Sequence, residues 1–289
     1  MDLLNIIIVS IGVLGTASNG ALLLIFLINP LKTFNSTSTY FIKSLTVADF
    51  VTCLMTIIWG FESAPSEGFL RTYYFIFWMS IQISFYLIFF MSVERYIAVH
   101  YPLKKQLIVT KPRTLACIFI VCSFAAILAG ISEIKTIRNY VRFSVFSLFD
   151  VIVICIFIVY IRIILSLRKI SRETRSNLSI STRGLRLERI RDERQLLIVV
   201  FVMLTILAVT VLPYTFASQL LLVDRLFFKG WSIDKKVLVK FLKYFFPVEV
   251  VNFAVNPIIY AIRLPNYRRS LLALVCSSRR ETNQETTQP

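Results

Sequence analysis

Residues 70–98 read LRTYYFIFWMSIQISFYLIFFMSVERYIA. Between Arg71 and Glu94 there is no charge at all. A hydrocarbon core about 30 Å thick is crossed by about 20 helical residues. This block is longer than that, so a helix built from it tilts. Six further blocks of the same kind lie at roughly 3–28, 39–61, 114–132, 141–167, 195–223 and 238–262, each near the length a bilayer requires. None shows the alternation of polar and apolar residues that marks a membrane barrel, so all seven are read as helices. The first lacks a basic leader and a cleavage site and is read as a true span, not a signal peptide. The expected fold class is all-α, a seven-transmembrane helix bundle. Internal repeats are absent.

Composition agrees. Of the 289 residues 57% are hydrophobic and 17% charged, whereas a soluble domain carries about 25% charged residues. An ordinary soluble enzyme and a disordered chain are both excluded. A net charge of +16 in a soluble protein would point to nucleic acid. Here the basic residues fall between apolar blocks, so membrane orientation explains them and nucleic acid is not an expected partner. About two-thirds of them lie on one side, which the positive-inside rule assigns to the cytosol. They include Lys32, Lys104, Lys105, Lys111, Arg113, the run from Arg162 to Arg194, and Arg263 to Arg280. The N-terminus is then outside, with few residues before the first span, and the C-terminus is cytosolic. The basic stretch Leu167–Arg194 reads as the longest loop, Ser/Thr-rich in its first half and helix-forming and charged in its second, that meets lipid or a partner protein. The glycosylation-type triplets at Asn35 and Asn177 fall on the cytosolic side and go unused. Cys53, Cys117, Cys122, Cys155 and Cys276 have no zinc-type spacing, and nothing in the chain resembles a nucleophilic or phosphate-binding motif. The chain does not read as an enzyme.

Ionisable groups inside a span are costly and therefore mark candidate sites. Asp49, Arg95, Asp150 and Glu249 are such groups. Asp49 with Ser84, Asn252 and Asn256 offers oxygen donors suited to a hard monovalent cation or a proton, or simply a hydrogen-bonded plug between helices. Arg95 follows Glu94 at the cytosolic end of the third span, and Glu193 opens the sixth at the same end. A pair between Arg95 and Glu193 would tie two helix ends together, a two-state element. Arg95 could equally be an interfacial side chain reaching for water. Pro213 and Pro257 each remove a backbone hydrogen bond within a span and are expected to kink it.

The chain resembles the rhodopsin-like (class A) G-protein-coupled receptors over nearly its whole length. The resemblance rests on Ser18-Asn19, Leu45-Thr46-Val47-Ala48-Asp49, Ser92-Val93-Glu94-Arg95-Tyr96-Ile97-Ala98-Val99, Pro102-Leu103, Tyr160, and Asn252 followed by Asn256-Pro257-Ile258-Ile259-Tyr260, in order across seven spans. Tyr267-Arg268-Arg269-Ser270-Leu271-Leu272 is similar to the family's short amphipathic eighth helix. The implied division is a receptor domain over 1–263, an eighth helix over 264–276 and a short disordered tail over 277–289. The resemblance implies a sodium pocket at Asp49, Ser84, Asn252 and Asn256, so Na⁺ is the one ion expected and no other cofactor is. It assigns the activation switch and G-protein contacts to Glu94, Arg95, Tyr96, Leu103, Tyr160, Glu193, Pro213, Pro257 and Tyr260. Cys276 stands where a palmitoylated cysteine follows the eighth helix. The implied partners are a heterotrimeric G protein, an extracellular ligand and membrane lipids, at the plasma membrane.

The departures narrow the ligand. No cysteine lies near Leu70–Tyr74 or in the short loop Ser132–Val141, so the family's extracellular disulfide is missing. Ile152 replaces the fifth-span proline, and Val211 and Leu207 replace the tryptophan and phenylalanine of the sixth span. These features look like the melanocortin, cannabinoid and lysophospholipid branch. Phe77 in place of the amine receptors' aspartate argues against a monoamine, and Val250 in place of the retinal lysine argues against an opsin. The outer side carries more basic than acidic residues and draws anions. A small anionic or lipid-like ligand is expected, with Phe77, Gln82, Asp150, Tyr214, Lys243 and Glu249 as pocket candidates. Asp150 and Glu249 could instead pair with each other or with Gln82. Two alternatives compete: an ion or solute transporter using the intramembrane carboxylates, and a receptor-like chain that no longer couples.

Overall fold

Seven helices are long and apolar enough to cross a membrane. The computed structural model describes residues 2–32, 34, 36–61, 66–177, 180–228, 234–263 and 267–273, with side chains at all of these except 170–197, 199–200, 203–204 and 263. The helices are α1 (Leu3–Ile28), α2 (Thr37–Phe61), α3 (Glu67–His100), α4 (Pro102–Ile108), α5 (Lys111–Ile131), α6 (Arg138–Asn177), α7 (Ile180–Leu226) and α8 (Lys235–Arg263), followed by α9 over 267–273. All except α4 and α9 are membrane-length. The chain is a multi-pass membrane protein.

Local sequence sets the helix ends. Asn29 stops α1 in the left-handed conformation (φ 43°), with its N–H donating to the Ile25 carbonyl at 2.9 Å. Asparagine tolerates that conformation better than most residues. Ser66 caps α3 by accepting from the Phe69 N–H at 3.3 Å, which satisfies one of the donors a helix start leaves open. Proline opens α4 and lies in the first turn of α5, where its missing N–H costs nothing.

Two sequence expectations change here. The basic loop over Leu167–Arg194 is mostly helix, because α6 runs on to Asn177 and α7 starts at Ile180. Its many Arg, Leu and Glu residues favour helix by intrinsic propensity. The short helix α4 was not foreseen; seven residues are too few to show a period. Helix α7 continues through Pro213, and α8 through Pro247 and Pro257.

Helix α3 is central and packs on α2, α5, α6 and α7. Helix α1 lies against α2 and α8. That approach is close because α1 presents glycine there: a Cβ at Gly12 would sit 2.8 Å from Ile57 Cγ1 and 3.1 Å from the Cys53 carbonyl. Small residues let membrane helices pack backbone to backbone where no hydrophobic force separates helix from lipid. Asn19 then fastens α1 to α8, its amide donating to the Phe253 carbonyl at 3.0 Å. Helix α9 docks through Tyr267, buried in an edge-on and tilted cluster with Phe26 and Phe34. Burial pushes the Tyr267 phenol up, so it stays neutral there.

Candidate functional site

Polar side chains gather at three levels along the bundle. At mid-depth Asp49 is fully buried. Its carboxylate accepts from Ser84 Oγ at 2.7 Å and from Asn256 Nδ2 at 2.6 Å. One residue thus joins α2, α3 and α8. In hydrocarbon such a group must be satisfied within the protein, and two short hydrogen bonds do this. Asn252 is also buried, but its Nδ2 has no hydrogen-bond partner among the described residues. One turn further along, Thr52 donates to Ser80 at 2.8 Å.

The second level is the Arg95 end. Arg95 and Glu94 are both buried. Glu94 accepts from Thr37 Oγ1 at 2.9 Å and from Ser38 Oγ at 2.7 Å. Arg95 lies 3.8 Å from the other Glu94 oxygen and also donates to Ser38 Oγ. Ser38 therefore stands between the two charges and links the end of α3 to the start of α2. The sequence reading missed Thr37 and Ser38; hydroxyls at the first turn of a helix read as caps. The expected partner Glu193 has a side chain outside the described residues, and so does Cys276. Tyr96 stacks on His100 with centroids 4.1 Å apart. Leu103, in the first turn of α4, is 92% exposed. Tyr160 and Tyr260 are buried between the Asp49 and Arg95 levels.

The third level is a cavity of about 690 Å³ at the opposite end, walled by α1, α2, α3, α6, α7 and α8. Such a volume suits a small ligand. Phe77, Tyr214 and Lys243 line it, as do Arg138, Arg142, Trp59, Tyr73, Tyr74, Trp78 and Phe246. Glu249 lies one turn below Phe246, buried, within electrostatic reach of Tyr214. Gln82 and Asp150 do not line this cavity. Gln82 donates to the Trp78 carbonyl at 3.2 Å. Asp150 accepts from Gln219 Nε2 at 2.6 Å and Thr215 Oγ1 at 3.1 Å. It ties α6 to α7 and pairs with neither Glu249 nor Gln82. Arg138 and Arg142 went unremarked in the sequence, although their four-residue spacing puts them on one helix face.

The model of a family described as "7 transmembrane receptor (rhodopsin family)" matches residues 18–136. Over that stretch, about two-fifths of its length, the chain is similar to the rhodopsin-like seven-transmembrane receptors. No curated protein matches it. The matching family is one of signalling receptors, not enzymes. The matched stretch carries the Asp49 level through α2 and α3 and the whole Glu94–Arg95–Ser38 arrangement. The altered positions, Ile152, Val211 and Leu207, lie outside the matched stretch. All three are buried apolar side chains there. Among the described residues Cys53, Cys117, Cys122 and Cys155 are free thiols, and no three acidic, histidine or cysteine side chains gather as a metal cluster.

Asp49 and Ser84 supply oxygen atoms of the kind a hard monovalent cation takes. The Asn252 Nδ2, unpartnered among the described residues, is a hydrogen-bond donor and not a cation ligand. Of the four residues, the Asp49 carboxylate and Ser84 Oγ are the oxygens brought together that a sodium ion would take.

Proposed function

We propose that this chain is a receptor that sits in the plasma membrane, binds a small anionic ligand in the aromatic cavity, and activates a heterotrimeric G protein at its Arg95 end. The N-terminus is outside and the C-terminus cytosolic, as the basic residues beyond Arg95 favour. The carrying observation is that Arg95 is buried while bound to Ser38 and Glu94. An interfacial arginine reaching for water would instead be exposed. A buried guanidinium on a small hydrogen-bonded clasp can be released, and its release would open the end of α3 to a partner. Exposed Leu103 on α4 offers that partner an apolar contact beside the clasp. Tyr160 and Tyr260 fill the space between helices that would part.

Chemically the machinery is modest. Asp49 holds Ser84 and Asn256, keeping α3 and α8 in register. A sodium ion there would supply positive charge to the Asp49 carboxylate. At the opposite end Lys243 lends the cavity positive potential, which draws anions. Glu193 is a second restraint on Arg95, and Cys276 a lipid anchor for the segment after α9.

The test is G-protein dissociation in cells, measured for each Gα class without added ligand. Wild type is compared with Arg95→Ala at matched surface expression. Basal signal present in wild type and lost in the variant is the expected result. A signal unchanged by Arg95→Ala would sink the assignment.

A further inference from the structure

We infer that the ligand is an amphipathic acid whose single anionic head, carboxylate or phosphate, is held by Arg142. This inference rests on the reading of the cavity as the ligand site. Half of the described side chains lining the cavity are aromatic, three are basic and none is acidic. The three basic residues are not equivalent. Arg138 is already engaged: it lies 3.7 Å from Glu133 and donates to the Ser132 carbonyl at 3.1 Å. Lys243 is exposed at the rim. Arg142 has no carboxylate within ion-pair distance among the described residues. Its guanidinium sits over the Trp78 ring at 5.5 Å, and its buried Nε has no hydrogen-bond partner.

A guanidinium carries five donors in a planar fork that matches a carboxylate or phosphate edge. The cation–π contact with the indole holds the guanidinium there without using a donor. A buried N–H left unpaired is costly, and an anionic head placed there would satisfy it. The site also sets the direction of the ligand. Away from Arg142 the lining includes the apolar rings of Phe77 and Phe246, which cannot solvate a second charge. The head therefore stays at Arg142, and an apolar body points down toward Phe77 and Phe246, whose rings lie 6.1 Å apart. A dianionic ligand with a charge at each end does not fit this polarity.

The test uses receptor in phosphatidylcholine nanodiscs, read by ligand-induced thermal stabilisation. This readout needs no G protein, so the inference and the coupling assignment can fail separately. The probes are oleate, oleoyl lysophosphatidate, indole-3-propionate and the uncharged oleyl alcohol. The acids separate a lipid source of the head from a small aromatic one. At least one acid is expected to stabilise wild type, and the alcohol is not. Arg142→Gln should weaken that acid about 30-fold, the range of a lost charge-assisted bond pair. Arg142→Lys, which keeps the charge but loses the fork, should recover part of it, and both variants are first matched for melting temperature without ligand. Stabilisation by none of the acids, equal stabilisation by the alcohol, or an acid that binds Arg142→Gln as well as wild type would each overturn the inference.

Discussion

The two ends of this bundle treat their charges differently. At the Arg95 end a guanidinium and a carboxylate are adjacent in sequence, buried together, and bridged by a hydroxyl from another helix. At the cavity end Arg142 is half-buried over an indole with a free Nε and no nearby carboxylate among the described residues. One end is closed on itself; the other is left open. A closed network makes a restraint, because releasing it costs free energy, whereas an open one makes a receptor site, because filling it gains free energy. Asp49 lies between them and is bonded to α3 and α8, both of which reach each end.

The largest break in this comparison comes at its midpoint. Asp49→Asn keeps the shape but removes the charge that a cation would need. Sodium dependence of acid binding in nanodiscs should vanish completely, while binding itself persists. The measurement is the thermal shift given by the stabilising acid in sodium against a large organic cation. A sodium effect retained by the variant would remove Asp49 from the ion site and leave it a structural bond between helices.

A smaller effect is expected at the closed end. Ser38→Ala removes the hydroxyl between Arg95 and Glu94 and leaves both charges in place. A net hydrogen bond contributes about 0.5–1.5 kcal/mol, so basal G-protein activity should rise about two- to tenfold. Thr37 still donates to Glu94 and limits the rise. Basal activity unchanged at equal surface level would show that Ser38 only caps α2, and Glu193 would then carry the restraint.

The sequence was informative in proportion to how costly a mistake would be to the protein. Seven apolar blocks cannot be anything but spans, because exposed backbone in lipid is prohibitive. Asp49 stood out for the same reason. Asp150 stood out equally, yet its partners Thr215 and Gln219 were invisible, since a helix rotation of 100° decides whether a side chain faces a cavity or a neighbour. Arg138 and Arg142 were hidden among basic residues at a span end, where snorkelling arginines are common. Their place in the cavity lining beside Trp78 distinguishes them. The basic segment that ends α6 and opens α7 reads as loop because it is rich in charge and hydroxyls; outside the membrane a helix needs no apolar face to persist when it extends one already formed.

The smallest effect sharpens the contrast between the cavity's own cations. Lys243 shares the cavity with Arg142 but is exposed. Water and salt screen an exposed ammonium, and an exposed ion pair contributes about 0–1 kcal/mol. Lys243→Ala should therefore weaken the stabilising acid by less than about fivefold, and the loss should shrink further at high salt. The Arg142→Gln loss should persist at high salt, because a half-buried fork is screened less. Measuring both variants at two ionic strengths separates steering from holding. An unaltered affinity for Lys243→Ala would remove it from the site altogether, and a loss as large as that of Arg142→Gln would mean that the head sits at the rim, outside the Trp78–Arg142 contact.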